Sequence, residues 1–366
     1  MPDSDKNRID TSDSPIIPLR KSIDEIDKKL LDLINRRLSL AKEIGKIKEE
    51  CGDQVFDSAR ESMIIRRLLD LNKGPVSKEA LRNIYTEIIA SSRNIQKKEI
   101  VTYLGPNATF THIAAMNHFG HSVSFVPQPT IRDVFREVEK RVCNYGVVPV
   151  ENSIEGTVNY TLDLFFESDL KICAEIYHTI SHDLLSKTGV PEDIETIYSH
   201  PHAFAQCRRW LEKHLPESVL EECSSTSRAA QKAEEKPVSA AIAGREAARM
   251  YNLKVVASGI EDFSRNVTRF LVIGRDEMHS TGKDKTSIMF VTAHAPGALH
   301  KVLEPIAMAG INMVKLESRP TKYENWNYFF FVDIEGHIED PKVEETMAKM
   351  KKLCMYLKCL GSYPRA

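Results

Sequence analysis

Apolar residues recur every three or four positions through the first folded stretch of the chain, a spacing typical of one face of an amphipathic α-helix. The residues that follow it are Leu19, Ile23, Ile26, Leu30, Ile34, Leu38, Ala41, Ile44 and Ile47. An unbroken helix of roughly 30 residues is about 45 Å long. Because that length exceeds the width of a compact domain of about 80 residues, we expect the helix to pack against a partner, most simply a second copy of the chain.

Two shorter helices complete an all-helical region over residues 19–98. Cys51-Gly52-Asp53 interrupts the apolar pattern, and a second helix follows around residues 58–71. Lys73-Gly74-Pro75 is typical of a turn. Ser77 suits the start of a third helix that runs to about residue 96.

Composition narrows the class of protein. With 366 residues, of which 42% are hydrophobic, the chain can form two or three domains. A net charge of −2 and the lack of a long apolar run favour neither nucleic-acid nor membrane partners. Residues 1–18 are typical of a disordered tail without a signal pattern. Seven cysteines without a C-x-x-C pair indicate reduced thiols, so we expect a cytoplasmic protein without a metal site.

Residues 99–277 alternate short β-rich runs with helical stretches, which predicts parallel sheet covered by helices. The length of this region suits two α/β lobes with a cleft between them. A polar segment, residues 278–285, is predicted to link it to residues 286–362. That last region has the order β-α-β-β-α-β of an α+β, ferredoxin-like domain.

The helical region resembles the all-helical chorismate mutases. The resemblance rests on Leu19-Arg20, residues 35–38, residues 44–48, Asp57-x-x-Arg60-Glu61 and Ser92-x-x-x-Gln96. It implies that arginines hold the two carboxylates of chorismate, with Ser92 assisting, and that Lys48 and Gln96 face the ether oxygen. It also implies that one arginine of each site comes from the partner. The predicted substrate contacts are Arg20, Arg37, Lys48, Asp57 (at a substrate hydroxyl), Arg60, Glu61, Ser92 and Gln96.

The central region resembles prephenate dehydratases, which implies a fold like that of periplasmic binding proteins. The resemblance rests on residues 103–111, 146–157 and 199–207 and on the triplet Thr268-Arg269-Phe270. Ala108 and residues 225–229 depart from the family pattern. The resemblance implies that Thr268 donates to the departing hydroxyl, that Arg269 binds a carboxylate and that Phe270 packs the motif in place. The further predicted contacts are Thr109, Thr111, Asn152, Ser153 and Thr157.

The C-terminal region resembles the ACT domains that bind phenylalanine. The resemblance rests on Gly297-Ala298-Leu299 before a helix and on Glu317-Ser318-Arg319-Pro320 at a strand end. A helix N-terminus that begins with glycine suits the carboxylate of an amino acid. The predicted phenylalanine contacts are Gly297, Ala298, Leu299, Asn312, Glu317, Ser318 and Arg319.

The order of the three regions resembles the bifunctional chorismate mutase/prephenate dehydratase family. The resemblance implies conversion of chorismate to prephenate and then to phenylpyruvate, with inhibition by phenylalanine, in a homodimer or tetramer. We expect no metal or organic cofactor, because neither step transfers a hydride or needs a Lewis acid. Two alternatives stay open: a dehydratase whose helical region serves only as a dimerisation arm, and a non-catalytic regulator that binds amino acids.

Overall fold

The computed structural model describes residues 16–51, 55–263, 265–320 and 328–366. The predicted tail over residues 1–15 and the predicted break at Gly52-Asp53 lie outside them. The helical region consists of α1 (Ile16–Cys51), α2 (Ser58–Leu71) and α3 (Lys78–Gln96). Asp57 and Ser77 cap α2 and α3 by accepting a backbone N–H bond. Because α1 already begins at Ile16, residues 16–18 belong to this helix and not to the tail.

Helix α1 has 36 residues and is therefore about 54 Å long. Only its C-terminal half packs closely on α3, where Gly45 lies against Gln96. A Cβ atom at Gly45 would stand 2.7 Å from Cγ of Gln96, so any larger residue would push the two helices apart. The N-terminal half exposes a series of large apolar side chains, namely Leu19, Ile23, Ile26, Leu30, Leu31 and Leu33.

The central region forms two lobes. The first lobe has a sheet in the order β2-β1-β3-β11-β5 with β4 paired to β3, and the second lobe has a sheet in the order β10-β6-β9-β7-β8. The strands are β1 (Ile100–Leu104), β2 (Ser124–Gln128), β3 (Tyr145–Asn152), β4 (Gly156–Thr157), β5 (Lys171–Thr179), β6 (Asp183–Ser186), β7 (Thr196–Ser199), β8 (Val219–Glu222), β9 (Ser239–Ala243), β10 (Lys254–Ala257) and β11 (Val267–Gly274). The helices are α4 (Phe110–Phe119), α5 (Ile131–Glu139), α6 (Asn159–Glu167), α7 (Pro201–Gln206), α8 (Arg208–His214), α9 (Thr226–Glu235) and α10 (Arg245–Met250). The predicted two-lobed α/β architecture is confirmed, although both sheets also contain antiparallel pairs.

Strand β11 returns the chain from the second lobe and lies in the middle of the first sheet, between β3 and β5. Successive side chains of a strand point to opposite faces. Phe270 and Val272 accordingly belong to an apolar cluster with residues of α4, whereas Leu271 and Ile273 belong to a cluster that includes residues of α5 and α6. The two neighbours Thr268 and Arg269 therefore also face opposite sides of the sheet.

The C-terminal region is a four-stranded sheet with two helices, as predicted. Its elements are β12 (Asp284–Val291), α11 (Ala298–Met308), β13 (Met313–Pro320), β14 (Tyr328–Glu335), α12 (Pro341–Leu353) and β15 (Tyr356–Pro364), in the sheet order β13-β14-β12-β15. One face of the sheet packs on α11 and α12. The other face contributes Met289, Phe331 and Tyr363 to the cluster with Leu271 and α5 of the central region. This sheet is thus covered by its own helices on one face and by the central region on the other.

The predicted link over residues 278–285 needs correction at both ends. Met278 is buried, and Asp284 and Lys285 are buried residues of β12. A polar stretch is typical of a linker, but the polar side chains of Asp284 and Lys285 form hydrogen bonds and ion pairs inside the protein. Asp284 accepts bonds from Thr281, and the Lys285 ammonium lies 2.7 Å from Oε2 of Glu175.

Candidate active sites

The first candidate site lies where α1 and α3 pack. The guanidinium of Arg37 donates to the Ser92 hydroxyl and, at 3.4 Å, to the Ile88 carbonyl. Gln96 lies one turn beyond Ser92, and its side-chain oxygen is buried with no hydrogen-bond partner among the described residues. Lys48 is half-buried near the end of α1 and donates to the Val55 carbonyl at 3.4 Å. The structure therefore brings Arg37 and Ser92 together and leaves the Gln96 oxygen available to a bound molecule.

The start of α2 carries three further predicted residues of this site. Asp57 accepts from the Arg60 backbone N–H at 2.9 Å, and Arg60 is exposed. Glu61, predicted to contact substrate, is instead paired with Arg93, whose guanidinium donates to it at 2.5 Å and to Glu99 at 3.0 Å. Burial raises the pKa of Glu61, and Arg93 opposes that shift. This ion pair joins α2 to α3, and the contact of Glu61 with substrate stays a prediction.

Arg20 lies on the exposed half of α1. It precedes Arg37 by 17 positions, which is about 25 Å along a straight helix. A single arginine side chain does not span that distance. Within one chain, the structure therefore does not bring Arg20 to the other residues of this site.

The second candidate site is built around Thr268 at the start of β11. The Nδ2 amide of Asn152 donates to Oγ1 of Thr268 at 2.8 Å and to Oδ1 of Asn266 at 2.7 Å. The orientation of this amide is fixed, because its oxygen accepts the backbone N–H groups of Ile154 and Glu155. Since the Thr268 oxygen accepts a bond, its hydrogen is available for donation to another oxygen.

Sequence reasoning missed three residues that extend this arrangement into the second lobe. Asn266 is 1% exposed and donates to Oε1 of Gln206, on α7, at 3.0 Å. Oε1 of Gln206 also accepts from Nε2 of His182 at 2.9 Å, and Nε2 of Gln206 donates to Glu155 at 3.2 Å. Burial lowers the pKa of His182. The position of Gln206 in the singled-out segment 199–207 was the one signal in the sequence; nothing there marked Asn266 or His182.

Arg269 lies on the other face of the sheet and is not in the same cleft as Thr268. Its guanidinium donates to Glu175 at 2.9 Å, to Asp333 at 2.6 Å and to the Tyr363 hydroxyl at 2.9 Å. Burial on its own would lower the pKa of Arg269, but Tyr363, Asp333 and Glu175 outweigh it and the pKa is raised. The prediction that Arg269 binds a substrate carboxylate is corrected: it joins the central strand to the C-terminal sheet. Phe270 is buried in the apolar cluster with residues of α4, and its role in packing the motif stays a prediction.

The other predicted residues of this site lie at three different places in the structure. Ser153 donates to the Arg265 carbonyl and accepts from the Val267 backbone, which fixes the approach to β11. Thr109 caps α4, and Thr111 is buried in its first turn. Thr157 donates to Glu317 of the C-terminal region at 2.9 Å.

The departures from the family pattern lie where the two lobes meet. Ala108 has a left-handed backbone with φ of 62°, a conformation that favours the glycine usual at this position. Ser225 caps α9, and Ser227 donates to the Asn107 carbonyl in the loop before α4. Both segments are thus part of one contact between the lobes.

The predicted amino-acid site is divided between the two faces of β13. Gly297 caps α11 with a left-handed φ of 75°, and Ala298 and Leu299 begin the helix. Ser318 lies on the same sheet face as α11, because it pairs with Phe330 of the cluster beneath that helix. Glu317 and Arg319 point the other way, to Thr157 and Asp163. The prediction that these two bind the amino acid is therefore corrected. Asn312 is exposed beside β13.

No group of three or more His, Cys, Asp or Glu side chains among the described residues is placed to hold a metal ion. None of the helices in the described part of the chain is long and apolar enough to cross a membrane.

Comparison with known proteins decides the family. Residues 19–97 match chorismate mutase type II, residues 101–278 match prephenate dehydratase and residues 286–351 match the ACT domain. The bifunctional chorismate mutase/prephenate dehydratase of Aquifex aeolicus is 49% identical over 95% of this chain and 97% of its own length. The chain belongs to this family. The bifunctional enzyme of Escherichia coli is 30% identical over 97% of both chains.

A solved structure supports the same assignment for the last two regions. The prephenate dehydratase of Arthrobacter aurescens, in complex with L-Phe, is 35% identical to this chain and superposes with a TM-score of 0.68. The match covers 73% of this chain and 90% of that one. The chain is thus an enzyme with chorismate mutase and prephenate dehydratase domains followed by an ACT domain, and the predicted family and fold class are confirmed.

Proposed function

We propose that the helical site rearranges chorismate by positioning and charge alone. The reaction is a concerted pericyclic step, so it needs no nucleophile or general base. Arg37 and Arg60 are suited to the two carboxylates, with Ser92 assisting and Asp57 at a hydroxyl. Lys48 and the Gln96 amide would stabilise the charge that builds on the ether oxygen. The unpartnered Gln96 oxygen supports this role only indirectly: no donor among the described residues holds that side of the amide, so the amide can turn its N–H toward the ether oxygen.

The helical site is complete only in a homodimer, in which Arg20 of one protomer reaches the site of the other. The exposed apolar half of α1 and the separation of Arg20 from Arg37 along that helix support this arrangement. Mixing the Arg20→Ala and Arg37→Ala variants provides the test. Each homodimer would be inactive, whereas each mixed dimer would contain one intact site. After subunit exchange, mutase activity should recover to about a quarter of wild type. No recovery would contradict the shared site.

The second site removes carbon dioxide and water from prephenate. Decarboxylation supplies electrons in the direction that expels the hydroxyl, so the protein needs only a well-placed donor. The observation that carries this proposal is the Thr268 hydroxyl, which accepts from Asn152 and keeps its hydrogen for the leaving oxygen. With Arg269 engaged elsewhere, the backbone N–H groups at the start of α4, capped by Thr109, are the natural donors to a carboxylate.

Phenylalanine binds the C-terminal domain and inhibits the second step. The L-Phe complex of the Arthrobacter aurescens relative supports this proposal. The left-handed Gly297 lets a ligand approach the N-terminus of α11, where N–H groups favour a carboxylate. Leu299 and Ser318 lie on that side of the sheet, whereas Asn312 follows the C-terminal end of α11 and would reach this site only from the paired domain of a second copy. Inhibition requires that phenylalanine bind two states of the protein with different affinity.

Separate assays with chorismate and prephenate, each with and without phenylalanine, test the whole assignment. Both substrates should be consumed, and phenylalanine should slow the second reaction. Chorismate left unconsumed would favour the dimerisation-arm alternative. No phenylpyruvate from prephenate would favour the non-catalytic alternative.

A further inference from the structure

Strand β13 presents two chemically different faces. Leu316 and Ser318 pair with Val332 and Phe330 of β14, which face helices α11 and α12. The alternate residues Lys315, Glu317 and Arg319 are all charged, and they face the central region. Burying a charged side chain is costly unless it is paired, so three charged residues on a face that packs on another region indicate specific partners there.

Each of the three charged residues contacts one part of the same segment of the central region. Nζ of Lys315 lies 2.7 Å from Oε2 of Glu151 at the end of β3. Oε2 of Glu317 accepts the Thr157 hydroxyl on β4 at 2.9 Å. The guanidinium of Arg319 lies 3.1 Å from Oδ1 of Asp163 on α6. The Arg319 and Asp163 side chains are 18% and 12% exposed, so this ion pair is screened less than a surface pair.

The segment that β13 contacts carries the Thr268 partner Asn152. Glu151 immediately precedes Asn152, and β4 pairs with both residues through Thr157 and Gly156. A shift of β4 would therefore be transmitted to the end of β3 and to the amide that supports Thr268.

We infer that Glu317, supported by Lys315 and Arg319, is a positioning residue of the dehydratase site rather than a ligand of the amino acid. It acts through Thr157 and the β3–β4 segment and does not touch the reacting atoms. The inference rests on the proposed dehydration at Thr268. One face of β13, with Ser318, would then contact the bound amino acid, and the other face, with Glu317, would hold the active-site segment. A ligand that moves β13 would thereby change the position of that segment.

The Glu317→Ala variant tests this inference, with Glu345→Ala as the matched control. Glu345 is an exposed glutamate on α12 of the same domain, and it forms an ion pair with Lys349. For Glu317→Ala we expect dehydratase kcat to fall about tenfold with KM for prephenate changed less than about threefold, because a hydrogen bond to a charged group is lost. Mutase activity and the affinity for phenylalanine, measured by titration calorimetry, should stay at wild-type values. Maximal inhibition by phenylalanine should decrease. Glu317→Gln keeps an acceptor for Thr157 but removes its charge, so its dehydratase kcat should fall by only about threefold.

Wild-type dehydratase kcat in Glu317→Ala, or lost phenylalanine affinity with unchanged kcat, would overturn the inference. If Glu317→Ala loses both activities together and so fails to fold, the isosteric Glu317→Gln variant decides. A measurable fall in its kcat with unchanged phenylalanine affinity supports positioning, and unchanged kcat overturns it. A wild-type protein without dehydratase activity would refute the proposed function itself. An active wild type beside an equally active Glu317→Ala variant refutes only this inference.

Discussion

Removal of the Arg269 charge should destabilise the contact between the central and C-terminal regions. The size of the stability loss follows from a buried group of four charged side chains. Arg269 and Lys285 are the cations, and Glu175 and Asp333 are the anions; all four side chains are at most 6% exposed. The group is electrically balanced. Arg269→Met leaves one carboxylate in excess, and removing one partner of a buried pair costs about 3–5 kcal/mol.

The Asp333→Asn variant makes the converse change and completes a double-mutant cycle. Alone it leaves one cation in excess, so it should also destabilise the protein. Combined with Arg269→Met it leaves only the balanced pair of Lys285 and Glu175, and the asparagine oxygen can still accept from Ser287. The double variant should therefore lose about 2 kcal/mol less than the sum of the single losses.

Urea unfolding followed by circular dichroism measures these losses, and prephenate kinetics on the same samples measure the site. If Arg269 were instead a substrate ligand, Arg269→Met would keep near-native stability and raise KM for prephenate strongly. Asp333→Asn would then change neither quantity, and the effects of the two substitutions would be additive. That set of results would refute the buried-cluster reasoning.

Two further predictions concern the helical region and the response to pH. Arg37→Ala should lower mutase activity by at least about 100-fold, because a carboxylate loses its guanidinium, and should leave prephenate turnover unchanged; unchanged chorismate turnover would remove Arg37 from the site. Burial, with a smaller effect of the Arg93 cation, lowers the pKa of His118 from 6.5 to about 4. Between these values the unfolded chain binds the extra proton, so stability falls as pH falls from 6.5 to 4, by about 2 kcal/mol for this partly buried ring. The urea midpoint of unfolding should depend less steeply on pH in the His118→Gln variant. An unchanged pH dependence would show that His118 does not contribute to it.

Most of the secondary structure was predictable because local patterns decide it. The steps of three and four residues in α1, the serine before α3 and the glycine before α11 are signals that tertiary packing did not override. The link predicted over residues 278–285 was wrong at Lys285, because a charged residue in a sequence does not reveal whether it has a buried ion-pair partner.

At the candidate sites the sequence could predict residue types and the relative directions of adjacent strand residues, but not their long-range partners. Thr268 and Arg269 are adjacent, and alternation along a strand alone places them on opposite faces; the same rule separates Ser318 from Glu317. The Glu61–Arg93 pair and the contact of Asn266 with Gln206 join residues 32 and 60 positions apart. No local pattern encodes such contacts, so they required the structure.

The most direct test of two separate sites acting in sequence is to supply chorismate alone to the Thr268→Ala variant and follow both products. The account predicts that chorismate is consumed at the wild-type rate, that prephenate accumulates in matching amount and that phenylpyruvate does not form. Formation of phenylpyruvate would remove Thr268 from the second step, and unconsumed chorismate would contradict the independence of the two sites.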